Sequence, residues 1–184
     1  NAVPFALDER LSYCLSKGRS MILTPILFHD IDGVLFGEYA GEFQLRPGVK
    51  SWLAWAHEHF QVIWLTSWES DKIKALLHIL YCERFHGLPE VPSFHHANWT
   101  NCQNKVIWLE QAVKKLKERE WFWIDDEIET WTPAIQHAGL SLDRCIQSNP
   151  EGRDELLRIQ STLVSRLEPI RTQPRDDIPT EDAA

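Results

Sequence analysis

Residues 25–35 have the sequence PILFHDIDGVL, and this stretch decides which fold the chain is expected to adopt. Its apolar first half is typical of a buried strand in a parallel sheet. Asp30 and Asp32 follow one residue apart, and Gly33 permits the sharp turn that ends a strand. Two carboxylates at the end of a buried strand are costly unless a cation or a proton relieves their repulsion. The stretch therefore predicts a site for a hard, oxygen-seeking cation such as Mg²⁺.

A second acidic strand end lies at residues 121–127, which have the sequence WFWIDDE. Four large apolar residues predict another buried strand, and the three carboxylates of residues 125–127 follow it directly. Between the two acidic stretches, the apolar residues 61–65 predict a strand that stops at the hydroxyl of Thr66. Sites in parallel α/β sheets collect beyond the carboxyl ends of the strands. These polar groups are therefore candidates for a single site.

Segments in which apolar residues recur at helical spacing lie between these strands. Turn signals in residues 36–43 predict a hairpin, and weaker patterns predict two further short strands. The alternation of strands and helices predicts an α/β fold with a mainly parallel sheet. The predicted helices cover 49–59, 68–85, 105–119 and 153–167, and the weaker strands cover 91–94 and 143–147.

The length of 184 residues fits one domain with a substantial core, expected over residues 21–167. Residues 1–20 are either a helical lead-in or a dispensable segment. Residues 168–184 are rich in Pro, Asp and Thr and poor in apolar residues, so a flexible tail is expected there.

The composition is that of an ordinary soluble protein, with 43% hydrophobic and 25% charged residues. A net charge of −8 argues against a general polyanion binder. The four cysteines are far apart and favour reduced thiols, and neither a membrane span nor a leader pattern is found, so a cytoplasmic protein is expected. The cysteines are Cys14, Cys82, Cys102 and Cys145, and the tryptophans expected in the core are Trp64, Trp121 and Trp123.

The Asp-x-Asp-Gly-Val-Leu sequence of residues 30–35 resembles the first motif of the haloacid-dehalogenase-like (HAD) phosphohydrolases. Thr66 at a strand end, Lys105 at a helix start and the Asp-Asp pair of residues 125–126 stand where that family has its second, third and fourth motifs. The resemblance implies a three-layer α/β/α Rossmann-like core with a mainly parallel five-stranded sheet. The segments between the motifs are already used by predicted elements, so no separate cap domain is expected.

The resemblance also implies a reaction. Asp30 would attack phosphorus to give an aspartyl-phosphate, and Asp32 would act as general acid and then general base. Lys105 is preferred to Lys114 and Lys115 as the phosphate-binding cation, because those two lie mid-helix on an expected solvent face. The expected phosphate-binding groups are the backbone N–H groups around Ile31 and Ser67 together with Thr66 and Lys105.

The metal that the resemblance implies is Mg²⁺. Its expected ligands are Asp30, Asp32 through its backbone carbonyl, Asp125 directly, and Asp126, which either binds through water or orients a ligand. Glu127 is expected only to cap the following turn. The adjacent histidines at 95 and 96 are interpreted as surface residues rather than as metal ligands.

An open site without a cap suits a large phosphorylated substrate, such as a phosphoprotein or a polynucleotide end. Residues 62–69 (VIWLTSWE), 87–89 (GLP) and 123–127 (WIDDE) resemble small capless HAD domains of bacterial RNA-repair proteins. Trp68 and Phe36 are then candidates for stacking on a base, or they pack against loops.

Three questions stay open at the level of sequence. His29 replaces the apolar residue usual before the nucleophile, and either tunes Asp30 or forms a hydrogen bond inside the sheet. The leading hypothesis is a Mg²⁺-dependent phosphatase, and a catalytically idle phosphate- or partner-binding domain and a phosphotransferase are the alternatives. The oligomeric state is not predicted.

Overall fold

The computed structural model describes residues 24–39, 41–81, 95–97, 99, 102–116 and 119–172. The strands are β1 (Ile26–His29), β2 (Phe36–Tyr39), β3 (Glu42–Leu45), β4 (Gln61–Trp64), β5 (Trp121–Asp125) and β6 (Cys145–Gln147). The α-helices are α1 (Val49–His59), α2 (Ser70–Tyr81), α3 (Lys105–Leu116), α4 (Ile128–His137) and α5 (Glu155–Thr172), and a 3₁₀ turn covers Leu142–Arg144.

Four strands form one parallel sheet in the order β4-β1-β5-β6. The central strand β1 pairs with β4 on one side and with β5 on the other, in the same direction. The four residues of β1 and the five of β5 are all buried, as expected for strands covered on both faces. The parallel register brings the carboxyl ends of β4, β1 and β5 to one edge of the sheet.

Successive residues of each strand enter different hydrophobic clusters, because side chains alternate between the two faces of a sheet. One face packs against α1, α2 and α5, and the other packs against α3 and α4, which gives three layers. The first face carries Leu27, Val62, Trp64, Phe122, Ile124 and Ile146, and the second carries Ile26, Phe28, Ile63, Trp121, Trp123 and Cys145. The predicted α/β fold and the burial of Trp64, Trp121 and Trp123 are thereby confirmed.

Strands β2 and β3 form the predicted antiparallel hairpin, separate from the main sheet. The N–H of Glu38 in β2 donates a hydrogen bond to the carbonyl of Pro150, which attaches the hairpin to the loop after β6. All four residues of β3 are exposed, and Phe43 keeps 59% of its surface in solvent.

The described part of the sheet has four strands where five were predicted. The predicted strand at 91–94 lies outside the described residues. Directly after it, His96 forms a parallel bridge to Trp64 at the outer edge of β4. His95 and His96 are half-buried beside this edge, so their interpretation as surface residues is wrong.

Helix α4 is the element that the sequence did not predict, and it contains Pro133. Helix α5 continues to Thr172, past the predicted end at Leu167 and into the segment expected to be a flexible tail. Helix α3 ends at Leu116, before the predicted end at Arg119, and α2 is described as far as Tyr81. The predicted lead-in at 1–20 and the remainder of the tail lie outside the described residues.

Cys102 and Cys145 are free thiols, and Cys14 and Cys82 fall outside the described ranges. None of the helices within those ranges combines the length and the hydrophobicity needed to cross a membrane.

Candidate active site

A buried lysine joins two carboxylates where β1 and β5 end. The Nζ atom of Lys105, at the first position of α3, lies 2.6 Å from Oδ2 of Asp30 and 2.8 Å from Oδ2 of Asp125. The side chains are 7%, 7% and 0% exposed, respectively. Parallel pairing of β1 with β5 places the two acids side by side, and α3 supplies the cation from the layer above them.

Backbone N–H groups hold the second oxygen of each carboxylate. The N–H of Ile31 donates to Oδ1 of Asp30 at 2.8 Å, and the N–H of Glu127 donates to Oδ1 of Asp125 at 2.9 Å. Each carboxylate therefore has one oxygen on the lysine and one on the backbone. Such bonds fix the orientation of both groups before any ligand arrives.

Asp126 completes a group of three acids. One carboxylate oxygen from each of Asp30, Asp125 and Asp126 lies within 4.8 Å of the others. Asp126 packs directly on the backbone of Gly33, because a Cβ atom at Gly33 would lie 2.1 Å from its Cγ and Oδ2 atoms. Gly33 also has φ of 65°, a conformation that favours glycine. The glycine thus allows the loops after β1 and β5 to touch.

The charges in this group do not balance. Burial and the neighbouring Asp125 raise the pKa of Asp30 to about 7, although Lys105 opposes the shift. Burial, followed by the charge of Asp125, also raises the pKa of Asp126. Burial disfavours the Lys105 cation, but Asp30 and Asp125 together raise its pKa above the usual value. Three acids facing one cation favour an added positive charge, and carboxylate oxygens are the ligands that Mg²⁺ prefers.

Asp32 points away from this group. Its Oδ2 atom accepts a hydrogen bond from the indole N–H of Trp68 at 2.9 Å, and its side chain is half-buried. The carboxylate of Asp32 is not part of the acid group found among the described residues. Of the four predicted metal ligands, the structure thus brings together the carboxylates of Asp30, Asp125 and Asp126, and it directs that of Asp32 elsewhere.

Thr66 lies just beyond the end of β4, the strand that pairs with β1. It is 1% exposed, and its carbonyl accepts a hydrogen bond from the indole N–H of Trp99 at 2.9 Å. The ring of Trp99 also lies 5.9 Å from Nζ of Lys105, within reach of a cation–π contact. Ser67 is exposed. Trp99 therefore contacts two predicted phosphate-binding residues, although no sequence pattern singled it out.

His29 is a neutral, fully buried residue. The indole N–H of Trp52 donates to its Nε2 atom at 2.8 Å, so the ring proton lies on Nδ1 and is donated to the carbonyl of Asp30. Burial is the main reason that its pKa falls to about 4. Of the two roles left open for His29, the structure shows the hydrogen bond inside the sheet, and this bond holds the backbone of Asp30.

Arg46 is a second residue that the sequence did not single out. Its side chain is buried, and Nη2 donates to the carbonyls of Gly33 and Asn149 at 2.8 Å each. Nη1 donates to the carbonyl of Gly152, and the hydroxyl of Ser148 donates to the carbonyl of Gly33 at 2.7 Å. Arg46 thus joins the loop after β1 to the loop after β6. A lone arginine before Pro-Gly carries no sequence signal for such a role.

The side chains of the remaining predicted residues are not part of the acid group found among the described residues. Lys114 and Lys115 are exposed in the last turn of α3, as expected for a solvent face. Glu127 occupies the N-terminal cap position of α4, but its side chain makes no capping hydrogen bond. The described group of acids that could hold a metal includes neither His95 nor His96.

No protein-family model matches the chain, and no curated protein is significantly similar to it.

Proposed function

We propose that this chain is a Mg²⁺-dependent phosphatase of the HAD type that acts through an aspartyl-phosphate on Asp30. The observation that carries the proposal is the buried group in which Lys105 bridges Asp30 and Asp125 while backbone N–H groups orient both acids. A purely structural ion pair needs one acid for one base. Here a second buried acid and a nearby third one leave negative charge uncompensated at the open end of a parallel sheet.

The reaction proceeds in two displacements at phosphorus. The Asp30 carboxylate attacks, a bond between phosphorus and the carboxylate oxygen forms, and the bond to the ester oxygen breaks as Asp32 donates its proton to the leaving alcohol. Water then attacks phosphorus and gives its proton to Asp32. Inorganic phosphate leaves and the Asp30 carboxylate is restored. The separation of Asp32 from the acid group supports this division of roles, because its carboxylate is held by Trp68 rather than by the lysine.

Attack by a carboxylate on a phosphate dianion requires charge compensation, because two unit charges 4 Å apart repel by ~4 kcal/mol at an effective dielectric of 20. Lys105 supplies one buried cation within the site. Mg²⁺, held by Asp30, Asp125, Asp126 and the Asp32 carbonyl, would neutralise the remaining charge and polarise the phosphoryl oxygens. Thr66 and the N–H of Ser67 would donate hydrogen bonds to those oxygens, while the N–H of Ile31 holds Oδ1 of Asp30.

The substrate we propose is an accessible phosphomonoester, such as a polynucleotide end or a phosphoprotein. Among the described residues between the loop after β1 and helix α1, the chain forms the short β2–β3 hairpin, which supports a site without a separate cap domain. The resemblance to small capless HAD domains supports the same class of substrate. The sheet order and the position of Lys105 at the start of α3 are compatible with that family assignment.

The test is the release of phosphate from an aryl phosphate with Mg²⁺ and with a chelator. We expect Asp30→Asn to lose at least ~10³-fold in kcat, because the nucleophile is removed. Asp71→Asn, which changes an exposed aspartate on α2, serves as the control and should keep full activity. Radiolabelled phosphate should remain on acid-quenched wild type and be absent from Asp30→Asn.

The alternatives are outcomes of the same assay. If the wild-type chain releases no phosphate with any divalent ion, the phosphatase proposal is wrong and an idle binding domain explains the site better. If label leaves Asp30 faster with an added alcohol acceptor, and appears on that acceptor instead of as free phosphate, the chain is a phosphotransferase.

A further inference from the structure

Three aromatic rings form a continuous row from Asp32 to the surface. The indole N–H of Trp68 donates to Asp32, and the ring of Trp68 lies 5.6 Å from that of Phe36 at an interplanar angle of 31°. The ring of Phe36 lies 5.5 Å from that of Phe43 at 16°, which is a stacked pair. Trp68, Phe36 and Phe43 are together called the aromatic row below.

Packing of the fold does not account for the outer part of the row. Trp68 and Phe36 are half-buried against the core, but Phe43 lies on the fully exposed strand β3 and is 59% exposed. Phe36 stacks on the ring of Phe43 in a nearly parallel pair, and most of the surface of Phe43 is still exposed to solvent. An open aromatic face at the end of a stack is suited to receive another planar ring.

The row lies on the leaving-group side of the proposed reaction. Asp32 serves the ester oxygen, and its carboxylate is bound by Trp68, the first ring of the row. The Lys105–Asp125 group binds Asp30 instead, and the acid group found among the described residues does not include Asp32. A group attached to the ester oxygen would therefore face the aromatic row and not the metal ligands.

The charges around the row limit what else the ligand can carry. Glu38 and Glu42 of the hairpin are both exposed, and the whole chain has a net charge of −8. Further phosphates on the ligand would be repelled here, since affinity for polyanions comes from basic side chains. A ring without extra negative charge suits this surface better.

We propose that the aromatic row is a leaving-group subsite that selects phosphomonoesters whose leaving group carries a planar aromatic ring and no further phosphate. This inference rests on the proposed phosphatase function and narrows its substrate class. Of the two substrates proposed above, it favours a phosphoprotein over a polynucleotide end, because the polynucleotide carries further phosphates and a phosphorylated aromatic residue or a mononucleotide does not. A nucleobase and a phenolic ring share the required chemistry. Stacking of one such ring on an aromatic side chain is expected to change kcat/KM by about tenfold.

The first experiment compares benzyl phosphate with cyclohexylmethyl phosphate in the presence of Mg²⁺. Both esters release a primary alcohol and have rings of similar size, so they differ mainly in planarity and π character. Wild type should prefer the benzyl ester by about tenfold in kcat/KM. Phe43→Leu should move this ratio most of the way to one. Leu157→Ala, which changes a 65% exposed apolar residue on α5, should leave the ratio unchanged.

The second experiment distinguishes the sources of the ring and tests the charge limit. Uridine 3′-monophosphate and O-phosphotyrosine amide represent the two sources, and the better substrate identifies the source. Uridine 3′,5′-bisphosphate should be a poorer substrate than the monophosphate, because its second phosphate approaches the hairpin acids. A bisphosphate that is turned over better than the monophosphate contradicts the charge limit.

The two proposals fail in different ways. Equal, measurable turnover of the benzyl and cyclohexylmethyl esters overturns the subsite and leaves the phosphatase intact. Absence of turnover with every ester overturns the phosphatase. In that case, tryptophan fluorescence is used to compare the binding of the two esters. Equal affinities overturn the aromatic site as well. Tighter binding of the benzyl ester, if Phe43→Leu abolishes the difference, supports the aromatic row as a ligand site.

Discussion

Helix α3 carries a lysine–carboxylate ion pair near each of its ends, and the two pairs lie in different surroundings. Lys105 and Lys114 each lie 2.6 Å from a carboxylate oxygen. The side chain of Lys105 is 7% exposed and binds acids that follow two different strands, whereas that of Lys114 is 70% exposed and binds Glu110 on its own helix. Water screens the second pair and not the first. Burial and the number of acids, and not distance, therefore distinguish a site from a solvent face.

Among the variants that test this comparison, replacement of Lys105 by methionine should have the largest effect, and the same replacement of Lys114 is its control. Lys105→Met should lower kcat/KM by ~10²-fold or more and destabilise the metal-free protein by ~3 kcal/mol, because two acids lose their buried cation. Lys114→Met should change the stability by less than ~0.5 kcal/mol. Urea unfolding with a chelator and phosphate release with Mg²⁺ measure the two quantities.

Mg²⁺ sharpens this comparison. If a divalent cation binds the acid group, it should restore part of the stability of Lys105→Met and none of that of Lys114→Met, since ligand binding stabilises the folded state that it selects. Equal losses in the two variants would contradict the distinction between the ends of α3.

Buried and exposed histidines are expected to differ in the same way, and the difference should be seen in the pH dependence of stability. In the folded protein, burial lowers the pKa of His29 from 6.5 to about 4. In the unfolded chain the same histidine is exposed and its pKa is not lowered, so the unfolded chain binds the proton first as the pH falls. The stability that neutral His29 contributes is complete above pH 6.5 and is lost as the pH falls through 4, by about 3 kcal/mol in total. Urea unfolding with a chelator at several pH values measures this loss. His29→Gln should flatten the acid limb, whereas replacing the exposed His137 with Gln should not.

Two glycines with the same backbone conformation test the contact with Asp126. Gly33 and Gly139 have φ of 65° and 68°, so alanine is strained by ~1 kcal/mol at either position. A Cβ at Gly33 collides with Asp126, whereas one at Gly139 meets no atom within 4 Å. Gly33→Ala should therefore cost ~2 kcal/mol and weaken Mg²⁺ binding about tenfold. Calorimetric titration with Mg²⁺ would detect this, and equal metal affinities in the two variants would argue against Asp126 as a ligand.

The smallest effect is expected at the tryptophan that holds Asp32. Trp68→Phe keeps a ring in the aromatic row but removes the donor to Asp32, so kcat should fall about fivefold with little change in KM. The indole N–H of Trp131 has no hydrogen-bond partner among the described residues, so Trp131→Phe is the matched control. A larger effect on KM than on kcat for Trp68→Phe would indicate that Trp68 binds substrate and does not position Asp32.

The chain's local patterns were enough to predict the central strands and the polar groups that end them. Residues 26–28 and 121–124 are continuous apolar runs, and acids follow them at residues 30 and 125. Parallel strands align such ends regardless of the loops between them. Lys105 was predicted from its place at a helix start. Helix α4 was not predicted, and it contains Pro133, a residue that is disfavoured inside helices because it has no backbone N–H. Beside it, the hydroxyl of Thr132 donates a hydrogen bond to the carbonyl of Ile128.

The directions of the polar side chains in the site depend on contacts between segments that are far apart in the sequence. The two aspartates of the first motif differ only by position in the sequence, but packing sends Asp30 to Lys105, 75 residues away, and Asp32 to Trp68, 36 residues away. The tryptophan at 99 and the arginine at 46 likewise act through partners that no local pattern reveals. Periodicity specifies which residues are buried, whereas the direction of a polar side chain depends on the three-dimensional neighbours that can satisfy it.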